Sequence, residues 1–302
     1  MKKPAAILFL LTTLTLLAAL AGQPPVQNGL PGDPIQGGRL YDNWMLALDL
    51  KAPEGDQPLW AEQSENTRSG DVTWRCKECH GWDYKGAAGA YGPASLRYTG
   101  FKGLEGIIGQ SQETVVAWLD GTGNPNHDFK SITDPNAIDD LAAFLRTMQV
   151  DTALFIDYES GLALGDDANG QLLYSQGCAE CHGNSGREID FSATGRPLYV
   201  GDIAAVDPWR TLHKIRFGTA TGNMPSAEQE GWSLRNIADV LVYAQSLPRG
   251  NPDYEIARDV SDDLNVDRQG ETEPILWAAL LILVVIAVGL GWEVLQNRRQ
   301  RS

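Results

Sequence analysis

Cys76-Lys77-Glu78-Cys79-His80 and Cys178-Ala179-Glu180-Cys181-His182 are two copies of one five-residue pattern, and together they use all four cysteines of the chain. Two thiols one helical turn apart, followed at once by an imidazole, form the attachment sequence of a c-type haem. The thiols add to the two vinyl groups, and the adjacent histidine is thereby held beneath the iron as its proximal ligand. Two other readings of Cys-x-x-Cys stand beside this one. A thioredoxin-like redox pair needs a strand–motif–helix context. Structural zinc needs four ligands from paired motifs, with no demand for histidine at the same offset twice. Repetition, the fixed histidine offset and the export signal described below favour haem at Cys76/Cys79 and at Cys178/Cys181, with His80 and His182 on the iron.

On these two motifs the chain resembles the class I cytochrome c family, present twice over roughly residues 38 to 249. The resemblance implies an all-α fold of two tandem domains, two covalently bound haem c groups and single-electron transfer between partner proteins. It also implies a sixth iron ligand. Downstream of His182 runs Ile215-Arg216-Phe217-Gly218-Thr219-Ala220-Thr221-Gly222-Asn223-Met224-Pro225. A Gly-rich loop ending in Met-Pro ahead of a helix looks like the distal methionine loop of small cytochromes c, which makes Met224 the second iron's distal ligand. The competing role for Met224 is gap-filling in the core.

The internal repeat lets the second half interpret the first. Setting Gly121-Thr122 on Gly218-Thr219 places Asn126 on Asn223 and His127 on Met224 without a gap. The helices that follow, Ile138–Leu145 and Ile237–Ala244, carry apolar residues at i, i+3 and i+4. His127 therefore occupies the distal slot of the first haem. Imidazole donates more strongly than thioether, so a His80/His127 iron is expected at lower potential than a His182/Met224 iron. The alternatives for His127 are an exposed loop residue beside Asp128, with Met45 or Met148 in its place, or an open five-coordinate iron. The remaining histidine, His213, aligns with Val116 and reads as a packing or surface residue. Lys77, Lys85 and Arg97 are candidate contacts for haem propionates or a partner.

The chain has 302 residues, 24 Lys+Arg against 39 Asp+Glu, a formal charge of −15 and 43% hydrophobic side chains. No basic stripe exists to neutralise phosphates, which argues against nucleic acid as a partner. The hydrophobic content is too high for a disordered acidic chain. Lys2 and Lys3 precede an apolar run closing with Ala19-Leu20-Ala21, a signal-peptidase pattern; the alternative is an uncleaved anchor. Ile275 to Trp292 is uncharged, flanked by Trp277 and Trp292, and spans about 27 Å as a helix. Arg298, Arg299 and Arg301 follow it, which places the C-terminus in the cytoplasm and the haem domains on the extracytoplasmic, periplasmic side of the cell membrane.

The expected organisation is a signal peptide at 1–21 and an extended leader at 22–37. Cytochrome domain 1 covers 38–150 with an insertion at 45–75, and a linker follows at 151–168. Domain 2 covers 169–252, an acidic linker 253–273, a transmembrane helix 274–294 and a cytoplasmic tail 295–302. The insertion separates Gly38-Arg39-Leu40-Tyr41-Asp42-Asn43-Trp44 from the first motif. Its counterpart, Gly170-Gln171-Leu172-Leu173-Tyr174-Ser175-Gln176, runs almost directly into the second. An insertion of this kind is either a loop laid across the haem face or a docking surface. The functional expectation is a membrane-tethered electron relay without substrate chemistry of its own, serving redox partner proteins or a membrane respiratory complex. Its alternative is a dihaem oxidoreductase, thiosulfate-dehydrogenase-like or peroxidase-like, acting at an open or weakly ligated first haem. The sequence offers no obvious catalytic constellation for that alternative, such as a third cysteine ligand. A sensory or assembly module, the third reading, lacks an output domain.

Overall fold

A computed structural model describes residues 31–192 and 195–254. The signal peptide, the transmembrane helix and the cytoplasmic tail lie outside these residues. Among the described residues the regular structure is helical, with isolated bridges and no named strand, and no helix there is long and apolar enough to cross a membrane.

The first domain is built on α1 (Pro34–Ala47), α2 (Cys76–His80), α3 (Gln112–Leu119) and α4 (Pro135–Thr147). The second repeats the plan with α5 (Asp167–Gly177), α6 (Ala179–His182), α7 (Val200–Val206), α8 (Pro208–Phe217) and α9 (Leu234–Ser246). In each domain the opening helix packs on the closing one, α1 on α4 and α5 on α9. Asp33 caps α1 by accepting from the Ile35 and Gln36 amides, and Asp166 caps α5 through Ala168 and Asn169. Side-chain carboxylates there satisfy amides that a helix leaves open at its N-terminus.

The helix crossing is the same chemistry twice. A Cβ at Gly37 would land on the Asp140 carbonyl oxygen, and one at Gly170 on that of Asp239. Glycine lets the two backbones approach closely. Four residues on, Tyr41 Oη donates to the Gly81 carbonyl at 2.6 Å and Tyr174 Oη to that of Gly183 at 3.1 Å, so each tyrosine ties its helix to the turn after the motif. Gly37 is thus the partner of Gly170 and Tyr41 of Tyr174, one residue out of step with the sequence pairing of Gly38 with Gly170. Other boundaries differ as well. Helix α1 begins at Pro34, inside the segment read as an extended leader, and continues to Ala47, so the insertion starts after it. Met45 is a buried core residue of that helix.

The segment between the domains is ordered by a 3-10 turn at Thr152–Leu154 and an antiparallel bridge between Ile156 and Ala163. Ile156 is fully buried there. The two helical groups meet where α8 lies against α1. Phe217 of α8 joins the first domain's core beside Tyr41 and Phe144.

Candidate functional site

Each motif opens onto a cavity. In the first domain Cys76, Cys79 and His80 line a space of about 240 Å³, with Tyr41, Leu119 and Leu141 as part of its apolar wall. His127 lines the same space from the far side. It sits on a short 3-10 turn, Pro125–His127, started by the side chain of Asn124, which accepts from the Asn126 amide. Gly121 supplies the left-handed turn, φ +79°, that sends the chain from α3 into this loop, as Gly218, φ +81°, does after α8.

The two imidazoles face each other with ring centroids 6.4 Å apart and planes at 77°. His80 Nδ1 lies 2.9 Å from the Lys102 carbonyl and His127 Nδ1 lies 2.7 Å from the Trp118 carbonyl. A carbonyl only accepts, so both Nδ1 atoms carry the proton and both Nε2 lone pairs are left for a metal. Metal–imidazole bonds of about 2 Å on either side of one ion, plus about 1 Å from each nitrogen to its ring centre, require about 6 Å between centroids. The cavity matches that spacing. Desolvation pushes the His80 imidazole down to about 4, with His127 opposite adding to the shift, and burial lowers His127 too. Both rings are therefore neutral, the form that binds metal.

In the second domain Cys178, Cys181 and His182 share a cavity of about 1010 Å³ with Met224. Its loop is anchored by Met224 N–H donating to Thr219 Oγ1 at 3.2 Å. Burial lowers the His182 imidazole as well, and its Nδ1 has no hydrogen-bond partner among the described residues. Burial also pushes the Cys76 thiol up to about 12 and raises Cys79 and Cys178. This is the reverse of the depressed thiol of a thioredoxin-like pair. The donor sets and the apolar walls fit haem in both domains, and in the first the ring spacing fits it as well.

The cations at the cavities are not those singled out in the sequence. Lys77 is buried against Glu78, 3.2 Å away, with its ammonium 4.6 Å from the Trp82 ring centre. Lys85 pairs with Asp151 at 2.9 Å, and Arg97 donates to Tyr91 Oη at 2.8 Å. Arg75, immediately before the motif, lines the first cavity instead, and Arg210 and Lys214 line the second. An arginine adjoining Cys76 was readable as a candidate. Its inward placement depends on the fold of the preceding segment. Met148 caps the C-terminus of α4 and is not among the residues of the first cavity. His213 is buried, 1% exposed, between the domains and lines neither cavity.

Two Cys-x-x-Cys-His motifs, each lining a cavity with its cysteines and histidine, define a haem-bearing electron-transfer protein. Residues 72–149 match the family model for cytochrome c, and residues 165–243 match that for cytochrome c oxidase, cbb3-type, subunit III. No curated protein matches the chain. The chain belongs to the class I c-type cytochromes as a tandem of two such domains, and it carries two covalently bound haem c groups.

Proposed function

We propose that the protein is a membrane-tethered, extracytoplasmic dihaem relay that passes single electrons from the first domain to the second. The observation that carries this reading is the pair His80 and His127, which line one cavity with ring centroids 6.4 Å apart and with each Nδ1 already bound to a backbone carbonyl. Haem supplies, when bound, reversible one-electron exchange between ferrous and ferric iron. His80 and His127 give the first site two imidazole donors, which favour the ferric state. His182 and Met224 give the second site one imidazole and one thioether, which favours the ferrous state. The ligand difference directs electrons from the first pocket to the second, and then to a redox partner or a membrane complex. Held by His80 with His127 and by His182 with Met224, the two haems would be left without a place for substrate.

The tether is supported by the apolar run Ile275 to Trp292, its flanking tryptophans and the arginines behind it. Ending the chain after Tyr254 should move the protein from the membrane fraction to the soluble one.

Electron paramagnetic resonance of the oxidised protein tests the ligand sets, because His/His and His/Met low-spin ferric haems give separable signals. One signal of each kind, in equal amounts, is expected. Two His/Met signals would remove His127 from the first site and with it the basis for the direction of flow, whereas a high-spin signal or fast stoichiometric carbon monoxide binding to the reduced first iron would replace the relay with a dihaem oxidoreductase.

A further inference from the structure

The first domain has a segment that the second lacks, and it touches both sides of the haem cavity. Between α1 and α2 the chain leaves the helix, makes 3-10 turns at Pro58–Glu62 and Gly70–Trp74, and returns to the motif. On the proximal side Arg68 forms an ion pair with Glu78, which lies inside the Cys-x-x-Cys-His motif and is fully buried. On the distal side Gln57 Nε2 donates to the Asn126 carbonyl at 2.7 Å, one residue before His127. Gln57 is itself held at every other polar atom. Its amide N–H donates to Thr73 Oγ1 at 2.9 Å, its Oε1 accepts from the Leu59 amide at 2.6 Å, and it is 4% exposed. Gln57, Leu59 and Thr73 line the cavity between these two anchors.

We infer that this segment is a strap joining the proximal motif to the distal loop, with Gln57 as the positioning residue that keeps His127 over the first iron. The inference rests on the reading of His127 as the sixth ligand. The loop from Gly121 to Asn126 is short, Gly-rich and largely exposed, features that belong to segments that open locally. A buried amide fixed at both ends opposes that opening at the residue beside the ligand. The second domain shows the arrangement without a strap. There α5 runs into the motif, the Met224 loop relies on its own Thr219, and the cavity is about 1010 Å³ against about 240 Å³. The strap makes the first iron the site that resists ligand exchange.

Carbon monoxide binding to the fully reduced dihaem protein, followed by stopped-flow at each iron, tests this. Gln57→Leu should bind at the first iron about fivefold faster than wild type, the effect of one lost hydrogen bond on loop opening. The second iron is an internal control and should keep its rate. Gln57→Asn retains the amide but is one methylene too short to reach Asn126, and should behave alike if the leucine variant fails to fold. His127→Gly separates the two claims. If it gains no fast carbon monoxide site, the ligand reading fails. If it gains one while both Gln57 variants keep the wild-type rate, or speed both irons equally, the strap is overturned and the ligand reading stands.

Discussion

His213 Nε2 lies 2.9 Å from the carbonyl oxygen of Gly38, a contact that reaches from α8 of the second domain to α1 of the first. Because the carbonyl only accepts, Nε2 holds the proton, and Nδ1 is left to accept from Tyr84 Oη at 2.9 Å. Both nitrogens are used and both partners belong to the other domain. The ring is packed among Trp82, Tyr41, Phe144 and Phe217. Nearby, Arg39 Nε donates to the Phe217 carbonyl at 2.9 Å and Arg216 to that of Met148 at 2.8 Å. Polar and aromatic contacts together hold the two haem domains in one arrangement, which a relay between fixed sites requires.

This arrangement makes stability depend on pH. Burial lowers the His213 imidazole well below its ordinary value; the Gly38 bond opposes the shift, and Arg216, Lys214 and Lys77 add to it, while Tyr84 faces the ring as a neutral donor. The unfolded chain takes up a proton near pH 6.5 and the folded one does not. Stability is therefore intact above about pH 6.5 and falls below it, by up to about 1.4 kcal/mol per pH unit. Denaturant melts between pH 7.5 and 5 should show this slope, and His213→Gln should flatten it. A slope unchanged in the variant would assign it to other groups.

A second bridge between the domains is ionic. Lys214 of α8 pairs with Asp42 of α1, their side chains 10% and 2% exposed. Asp42→Asn leaves the ammonium poorly compensated in the interior and should cost about 3 kcal/mol in chemical denaturation. Replacing both partners, Asp42→Asn with Lys214→Met, should recover much of that loss, since no charge then stays buried. A double variant as weak as the single one would locate the cost elsewhere.

Close helix crossings at Gly37 and Gly170 predict matched sensitivities. An added methyl meets a carbonyl oxygen at each, that of Asp140 or of Asp239, so Gly37→Ala and Gly170→Ala should each lower stability by about 1 to 3 kcal/mol. Gly106→Ala, where a Cβ meets nothing within 4 Å, is the control and should be near neutral. Thermal melts of the three holoproteins give the comparison.

What the text of the chain revealed and what it hid divide along physical lines. The attachment motifs were legible because thioether chemistry needs two thiols and an imidazole at fixed spacing. The place of His127 at the first cavity was legible because the loop after Gly121 repeats the loop after Gly218 without a gap. The pairing of α1 with α5 was read one residue off. Gly37 and Gly38 are indistinguishable as letters, and only the approach of the Asp140 backbone selects Gly37. The insertion stayed ambiguous for a similar reason. Arg68 and Gln57 are ordinary surface types until the chain folds back to bury them against Glu78 and Asn126. The junction at His213 was not visible either, since nothing local marks a helix that will lie against another domain.

The ligand assignment itself predicts a change confined to one haem. His127→Met exchanges a strong donor for a weak one over the first iron, with the Gln57–Asn126 and Gly121 contacts of the loop still available to carry the new side chain. The potential of the first haem should rise, narrowing its gap to the second, and the His/His resonance should be replaced by a His/Met one. Met224→His should do the reverse at the second haem, lowering its potential and leaving the first unchanged. Spectroelectrochemical titration of the two variants reads both. If His127→Met leaves both midpoints where they were, His127 does not ligate the first iron, and the direction of electron flow loses its basis.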